Sequence, residues 1–366
     1  MTAETSLPAE ETATPVGAES LPASKRTLLL VAGSGRSGTS LFTGILQRLG
    51  FHVPQPEVPA DATNPRGFAE SQWVVQFHSR LLADAGVQMA DARPGAWADT
   101  AEIALDHGVA RKLRGWLRQQ LRTSDNLVIK DPRLSWFLPL WRRCAEDLDL
   151  SPRFVTVLRH PAAVVQSKLR SYGSWQGDIS RTAGWINQTL FTERATRDDQ
   201  RAFVRHDKLL EDWTRTVGHV GQVLDLAVIR DAPAAATVRA HEFVDRSLTQ
   251  ARAGWGDFEL PEPLRQLADE VWVLVSRLAA DEADVKPVIE GLEAARASYT
   301  ELYEDAEAIA QSSIAAKRRG PRKGPISARA MRFAADKVPI RYKRKVPPRL
   351  RARLVAALRQ SPAGRR

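Results

Sequence analysis

Thr27-Leu28-Leu29-Leu30-Val31-Ala32-Gly33-Ser34-Gly35-Arg36-Ser37-Gly38-Thr39-Ser40-Leu41-Phe42-Thr43-Gly44-Ile45-Leu46-Gln47-Arg48-Leu49 is the stretch from which the fold follows. Its first six residues are an apolar run that stops at Gly33, the length and composition of a strand buried on both faces. After the Gly-rich turn, Leu41, Ile45, Leu46 and Leu49 recur at helical spacing. Strand, tight loop and helix therefore succeed one another within two dozen residues.

The same grammar recurs twice downstream. Asn126-Leu127-Val128-Ile129 reads as a strand ending in Lys130-Asp131-Pro132-Arg133, with an aromatic-rich helix through Trp136, Phe137, Leu140 and Trp141 beyond it. Arg153-Phe154-Val155-Thr156-Val157-Leu158 reads as a strand ending in Arg159-His160-Pro161, followed by a helix through Val164, Val165 and Leu169. Wholly apolar strands separated by helices imply an α/β fold of three layers, a mostly parallel sheet flanked by helices. Phe51-His52-Val53 is a further strand candidate. Helical patterns cover 101–122, 179–197, 208–224, 263–280 and 281–313, the last with a break expected at Pro287.

Composition bounds the rest. The 366 residues carry 53 Lys+Arg against 43 Asp+Glu, a net charge of +10, and one cysteine, Cys144. A single cysteine excludes a disulfide framework and any cysteine-based zinc cluster. No apolar run approaches the roughly 18 to 20 residues of a membrane-spanning helix, and the first residues lack a basic-then-apolar signal pattern. A reducing, cytoplasmic setting is the expectation. The charge is uneven, for residues 317–366 hold 18 Lys+Arg and one acid, Asp336. Three parts are expected: a disordered leader over 1–25, rich in Ala, Glu, Thr and Pro, a catalytic domain over 26–315, and a basic C-terminal arm over 316–366.

Gly33-Ser34-Gly35-Arg36-Ser37-Gly38-Thr39-Ser40 has the G-x-x-x-x-G spacing of a nucleotide phosphate loop. Its glycines let successive N–H groups close on an anion at the positive end of the following helix. The lysine that should follow the second glycine is Thr39, so the ammonium that would reach the β- and γ-phosphates of a triphosphate is missing. Arg36 is the loop's cation, and Ser37, Thr39 and Ser40 are its hydroxyls. Downstream, Arg159 leaves a strand end and Ser167 follows eight residues later on a helix, a second place for an anion.

Together these segments resemble the sulfotransferases that use 3′-phosphoadenosine 5′-phosphosulfate (PAPS), in particular their bacterial branch. Gly35-Arg36-Ser37-Gly38-Thr39-Ser40-Leu41 resembles the 5′-phosphosulfate loop P-R-S-G-T-[ST]-L, with Gly35 in the place of Pro. Arg159-His160-Pro161 through Ser167 resembles the 3′-phosphate element. Lys130-Asp131-Pro132-Arg133 resembles K-D-P-R, Asn64-Pro65-Arg66-Gly67-Phe68-Ala69-Glu70 resembles N-P-x-G-[FY]-[FW]-E, and Phe203 to Leu210 resembles V-x-Y-E-D-L with His206 replacing the aromatic. The likeness runs from about Lys25 to Leu248 and leaves out leader and arm.

The resemblance implies a P-loop-like sulfotransferase fold, with the donor held by Gly35, Arg36, Ser37, Gly38, Thr39, Ser40, Arg159 and Ser167. It implies transfer of the sulfuryl group to an acceptor hydroxyl, of a carbohydrate or glycolipid, without a metal. The sequence offers no His/Asp/Glu cluster with metal-ligand spacing. Arg36 is expected to stabilise charge on the leaving oxygen. Glu70, after a Pro/Gly loop, is the first candidate for general base and His78, two turns along the next helix, the second. Asp131 and Arg133 are candidates for the acceptor site, Arg133 holding sulfate or acceptor and Asp131 orienting a lysine or arginine, with a purely structural helix cap equally open for Asp131. Trp136, Trp141, Trp175 and Trp185 could stack on an acceptor, core packing being the better reading of each.

Two other classes compete. One is a nucleotide or small-metabolite kinase, opposed by the missing lysine; the other is a membrane- or polymer-binding protein with a degenerate nucleotide site. In the arm, residues 349–359 place Leu350, Leu354, Val355 and Leu358 on one face among arginines, an amphipathic basic helix. An anionic membrane surface, an anionic polysaccharide and an inert tail are its open readings, with nucleic acid ranked behind the first two.

Overall fold

The computed structural model describes residues 26–173, 176–245, 254–256, 258–280 and 285–319, with side chains to 311. The leader, Trp175, the segment around Leu248 and all of the basic arm except the backbone at 316–319 lie outside the described residues. The chain divides into two compact units, Met1–Glu304 and Asp305–Arg366.

Four strands, β1 (Thr27–Ala32), β2 (Asn126–Lys130), β3 (Pro152–Leu158) and β4 (Arg201–Arg205), form one sheet in the order β2-β1-β3-β4. Every pairing is parallel, with Leu30 opposite Ile129 on one side and Phe154 on the other. Helices fill both faces: α1 (Thr39–Leu49), α2 (Gln72–Ala85), α3 (Ala96–Leu105), α4 (His107–Gln120), α5 (Leu138–Glu146), α6 (Pro161–Tyr172), α7 (Asp178–Ala195), α8 (His206–Glu211), α9 (Trp213–Val223), α10 (Ala227–Arg230), α11 (Ala234–Phe243), α12 (Glu262–Arg277) and α13 (Val285–Arg319). The fold is therefore the α/β class read from the apolar strands.

Alternation along β1 distributes its side chains between two cores. Leu28 and Leu30 join Leu127, Ile129, Phe137 and Trp141 beneath α2 to α5. Leu29 and Val31 join Val128, Val155, Ile45 and Val220 beneath α1 and α9. A third cluster packs α7, α12 and the first part of α13 around Trp185, Val271 and Leu292. Burying each such side chain contributes roughly 1.5–3 kcal/mol, so the sheet is held from both faces.

Some helix boundaries differ from the periodicity. The pattern over 101–122 is two helices, because Asp106 caps α4 by accepting from the Val109 N–H (2.9 Å). That over 208–224 is likewise two, with Asp212 accepting from the Arg215 N–H (3.0 Å) at the start of α9. A capping side chain satisfies first-turn donors only where the chain begins a new helix. Pro287, by contrast, breaks nothing. It is the third residue of α13, where the N–H it lacks would have no partner within the helix. Phe51-His52-Val53 forms no strand; His52 makes one isolated parallel bridge to Leu127 at the edge of β2.

Because β2 and β3 lie on opposite sides of β1, the connections diverge between β1 and β3. A switch point of this kind forms a crevice at the carboxyl ends of the strands, the usual ligand position in such sheets.

Candidate active site

The phosphate loop closes that crevice from β1. Gly33, Arg36 and Gly38 all have positive φ, 139°, 75° and 97°. Arg36 is the one non-glycine among them, a strained conformation of the kind concentrated at binding sites. Gly38 caps α1 without a side-chain bond, so the first-turn N–H groups face the crevice unclaimed by a cap. The Ser37 hydroxyl is buried with no hydrogen-bond partner among the described residues. An orphaned donor in a phosphate loop fits an anionic ligand.

The two glycines are also fixed by packing. A Cβ on Gly33 would come within 2.6 Å of the Val157 carbonyl, and one on Gly38 would run into the His206 ring. Gly35 has no such constraint, its Cβ position lying 3.7 Å from Pro132. Thr39, where the lysine is missing, is a buried residue in the first turn of α1.

Arg36 and the strand-end element of β3 meet. Arg36 donates from Nε to Ser167 Oγ (3.0 Å) and from Nη1 to the Thr63 carbonyl (3.2 Å), and Arg159 donates from Nη1 to the Arg36 carbonyl (3.0 Å). Among the described residues neither arginine has a carboxylate within 4 Å. Burial, then the like charges of Arg36 and Arg170, lower the Arg159 guanidinium to about 10. It stays charged at neutral pH. His206, at the end of β4 and against Gly38, is lowered to about 4 by burial first and by Arg159 second, and is neutral in the folded protein.

On the β2 side, Lys130 and Glu70 form a buried ion pair. Lys130 also donates to Ser40 Oγ (3.0 Å) and to the Phe68 carbonyl (3.1 Å), tying the carboxylate to the start of α1. Glu70 precedes α2 by two residues and follows Ala69, itself at positive φ (51°). Burial raises the Glu70 carboxyl above its ordinary range, with Lys130 only partly opposing this. A carboxylate so placed is a better proton acceptor near neutrality than an exposed one.

His78 and Asp131 lie one layer deeper. Both are fully buried, with His78 Nδ1 2.9 Å from Asp131 Oδ2 and Trp141 Nε1 donating to His78 Nε2 (2.8 Å). Since Nε2 accepts, the proton sits on Nδ1 and is donated to Asp131, and both ring nitrogens are occupied. Asp131 in turn accepts from the Arg133 N–H (3.0 Å) and Nη1 (2.8 Å), so it caps the short 3₁₀ turn Pro132–Phe137 and orients Arg133 at once. Burial would raise the Asp131 carboxyl, but His78 and Arg133 outweigh it and hold the group low. Arg133 remains partly exposed at the crevice. Trp136, Trp141 and Trp185 are buried core residues, as is Cys144, whose thiol burial pushes up to about 11.

The structure thus gathers Arg36, Ser37, Gly38, Thr39, Ser40, Arg159, Ser167 and Glu70 around one crevice, with Arg133 at its edge and His78 behind it. Sequence reading left Lys130 and His206 out of the site. Both occupy a strand's carboxyl end, the position that singled out Arg159, and that shared position was the available signal.

No family model and no curated protein matches this chain. Among solved structures it is similar to a sulfotransferase domain from the Synechococcus PCC 7002 olefin synthase, at 18% identity and a TM-score of 0.41, over 70% of this chain and 97% of that one. No described helix is long and apolar enough to cross a membrane.

Proposed function

We propose that this chain transfers a sulfuryl group from PAPS to an acceptor hydroxyl, on a carbohydrate or glycolipid. The observation that carries the reading is the joint between two anion elements, Arg36 of the phosphate loop bonded to Ser167 and backed by Arg159, with no carboxylate within 4 Å of either arginine among the described residues. A 3′-phosphorylated nucleotide with a 5′ phosphosulfate needs two neighbouring anion sites, and the loop without its lysine suits a short anionic group better than a triphosphate.

In this reading Arg159 and Ser167 hold the 3′-phosphate. Arg36 and the N–H groups of the loop hold the 5′-phosphate and take up the negative charge that grows on its bridging oxygen as the S–O bond breaks. Glu70 accepts the proton that the acceptor hydroxyl loses as its oxygen bonds to sulfur, and Lys130 keeps the carboxylate in place. Arg133 at the crevice edge orients the acceptor. The basic arm brings the enzyme to an anionic membrane surface, where a glycolipid acceptor would be presented.

The test is ligand-dependent unfolding. Adenosine 3′,5′-bisphosphate at about 100 times its Kd should stabilise the full-length protein by about 2.7 kcal/mol, a rise of several degrees in Tm. ATP with magnesium should do far less. The reverse order would replace this reading with that of a kinase.

A further inference from the structure

Helix α6 delivers Ser167 to Arg36, and its next residue, Lys168, turns to the other half of the same loop. Lys168 Nζ donates to Ser34 Oγ (3.2 Å) and is 5% exposed. Among the described residues no carboxylate lies within 4 Å of it. The charged group facing it from α7 is Arg181, a like charge that is itself buried and whose own nearest acid, Asp178, is 3.9 Å away. The α12 carboxylate that meets α6, Asp269, lies against His160 at the helix's other end (3.7 Å). A hydroxyl alone therefore serves a buried ammonium.

Such an arrangement is unfavourable for the empty protein, and an apolar side chain of similar length would be more stable there. The missing counter-charge belongs to whatever the loop binds. We propose that Lys168 is a further cation of the donor site, reaching the loop from α6 through Ser34 and supplying the positive charge that Thr39 does not. This rests on the reading of the loop as the donor's anion site.

A consequence follows from linkage. Burial first, and Arg181 second, lower the Lys168 ammonium to about 8. Between pH 7 and 8.5 the empty protein therefore progressively loses that proton, while a bound anion restores it. Through Lys168, binding should take up about a tenth of a proton at pH 7 and more than about half at pH 8.5, and at pH 8.5 the nucleotide's own phosphates, with a second pKa of about 6, are fully ionised.

Calorimetry of full-length protein with adenosine 3′,5′-bisphosphate, in buffers of different ionisation heat, reads this uptake directly. Wild type should show the rise with pH; Lys168→Met should remove it, weaken binding about tenfold and raise the Tm of the unliganded protein. Uptake that stays flat in wild type, or that is unchanged in the variant together with unchanged affinity, would overturn the role of Lys168 and leave the donor site standing. Failure of the bisphosphate to bind wild type at all would overturn the donor reading and this inference with it.

Discussion

At the amino ends of the strands, Arg26 pairs with Asp125 (3.1 Å) and, nearby, Arg230 with Asp225 (2.5 Å), around a cavity of about 800 Å³ lined in part by Arg26, Asp125, Ser151 and Arg153. At the carboxyl ends, Arg36, Arg159 and Lys168 have no carboxylate within 4 Å among the described residues, and a separate void of about 10 Å³, room for about one water, is lined by Gly33, Ser34, Val157 and Trp185. The amino end carries two exposed ion pairs, while at the carboxyl end Arg36, Arg159 and Lys168 rest on hydroxyls and carbonyls. Exposed ion pairs contribute about 0–1 kcal/mol and can occur anywhere on a surface, whereas taking a cation out of water without a counter-charge costs about several kcal/mol. Under the proposed function, the donor's phosphates supply that missing counter-charge.

The largest effect that can break this contrast is at Glu70. Glu70→Gln removes the proton acceptor while keeping the shape that packs on Lys130. Turnover in a PAPS-dependent assay should fall by about 10² to 10⁴, with bisphosphate affinity little changed. Near-normal turnover at saturating substrates would move the base elsewhere, and with both His78 nitrogens occupied Arg133's neighbours would have to supply it.

A smaller effect concerns acid. His206 is held neutral down to about pH 4 in the folded protein, while in the unfolded chain it binds a proton near pH 6.5. Stability is therefore untouched above pH 6.5, falls through the window as pH drops, and below pH 4 has lost about 3 kcal/mol through this group. His206→Gln should remove that part of the acid slope in denaturant titrations at pH 7, 5.5 and 4. Identical slopes would show that His206 is free to charge beside Arg159, and would weaken the contrast between the two ends of the sheet.

How much of this was legible in the sequence follows from distance along the chain. β1, its loop and α1 are contiguous, and so are β3, Arg159 and Ser167, so both anion elements could be read from local pattern. The bonds that join elements could not. Lys130 to Glu70 spans 60 positions and Lys168 to Ser34 spans 134, and each depends on the strand order β2-β1-β3-β4, which apolar runs do not encode. The helix breaks at Asp106 and Asp212 were hidden for the opposite reason: one capping side chain interrupts an apolar period that otherwise runs on. Asp131, for which cap and orienting group are both legible, is both, because its Oδ1 accepts from the Arg133 N–H and from the Arg133 guanidinium while Oδ2 faces His78.

The mildest test sets the two ends directly against each other. Arg153 resembles Arg159 in being an arginine of the β3 region, but it sits at the amino end and donates to the Leu224 and Ser151 carbonyls (3.2 and 2.9 Å). Arg159 donates to the carbonyl of Arg36, within the loop. If unpaired charge marks the donor site, Arg159→Ala should weaken adenosine 3′,5′-bisphosphate by about 1.5 to 3 kcal/mol, the scale of a hydrogen bond to a charged group, and barely affect adenosine 5′-monophosphate, which lacks the 3′-phosphate. Arg153→Ala should leave both nucleotides unchanged, although it faces the larger cavity. Calorimetry with two nucleotides and two variants gives four numbers, and only one of them is expected to move. Equal losses for both nucleotides in Arg159→Ala would assign that arginine to holding the loop together instead of to the 3′-phosphate. A loss in Arg153→Ala would mean that the roomy end binds nucleotide after all, and that the contrast between the ends was drawn the wrong way round.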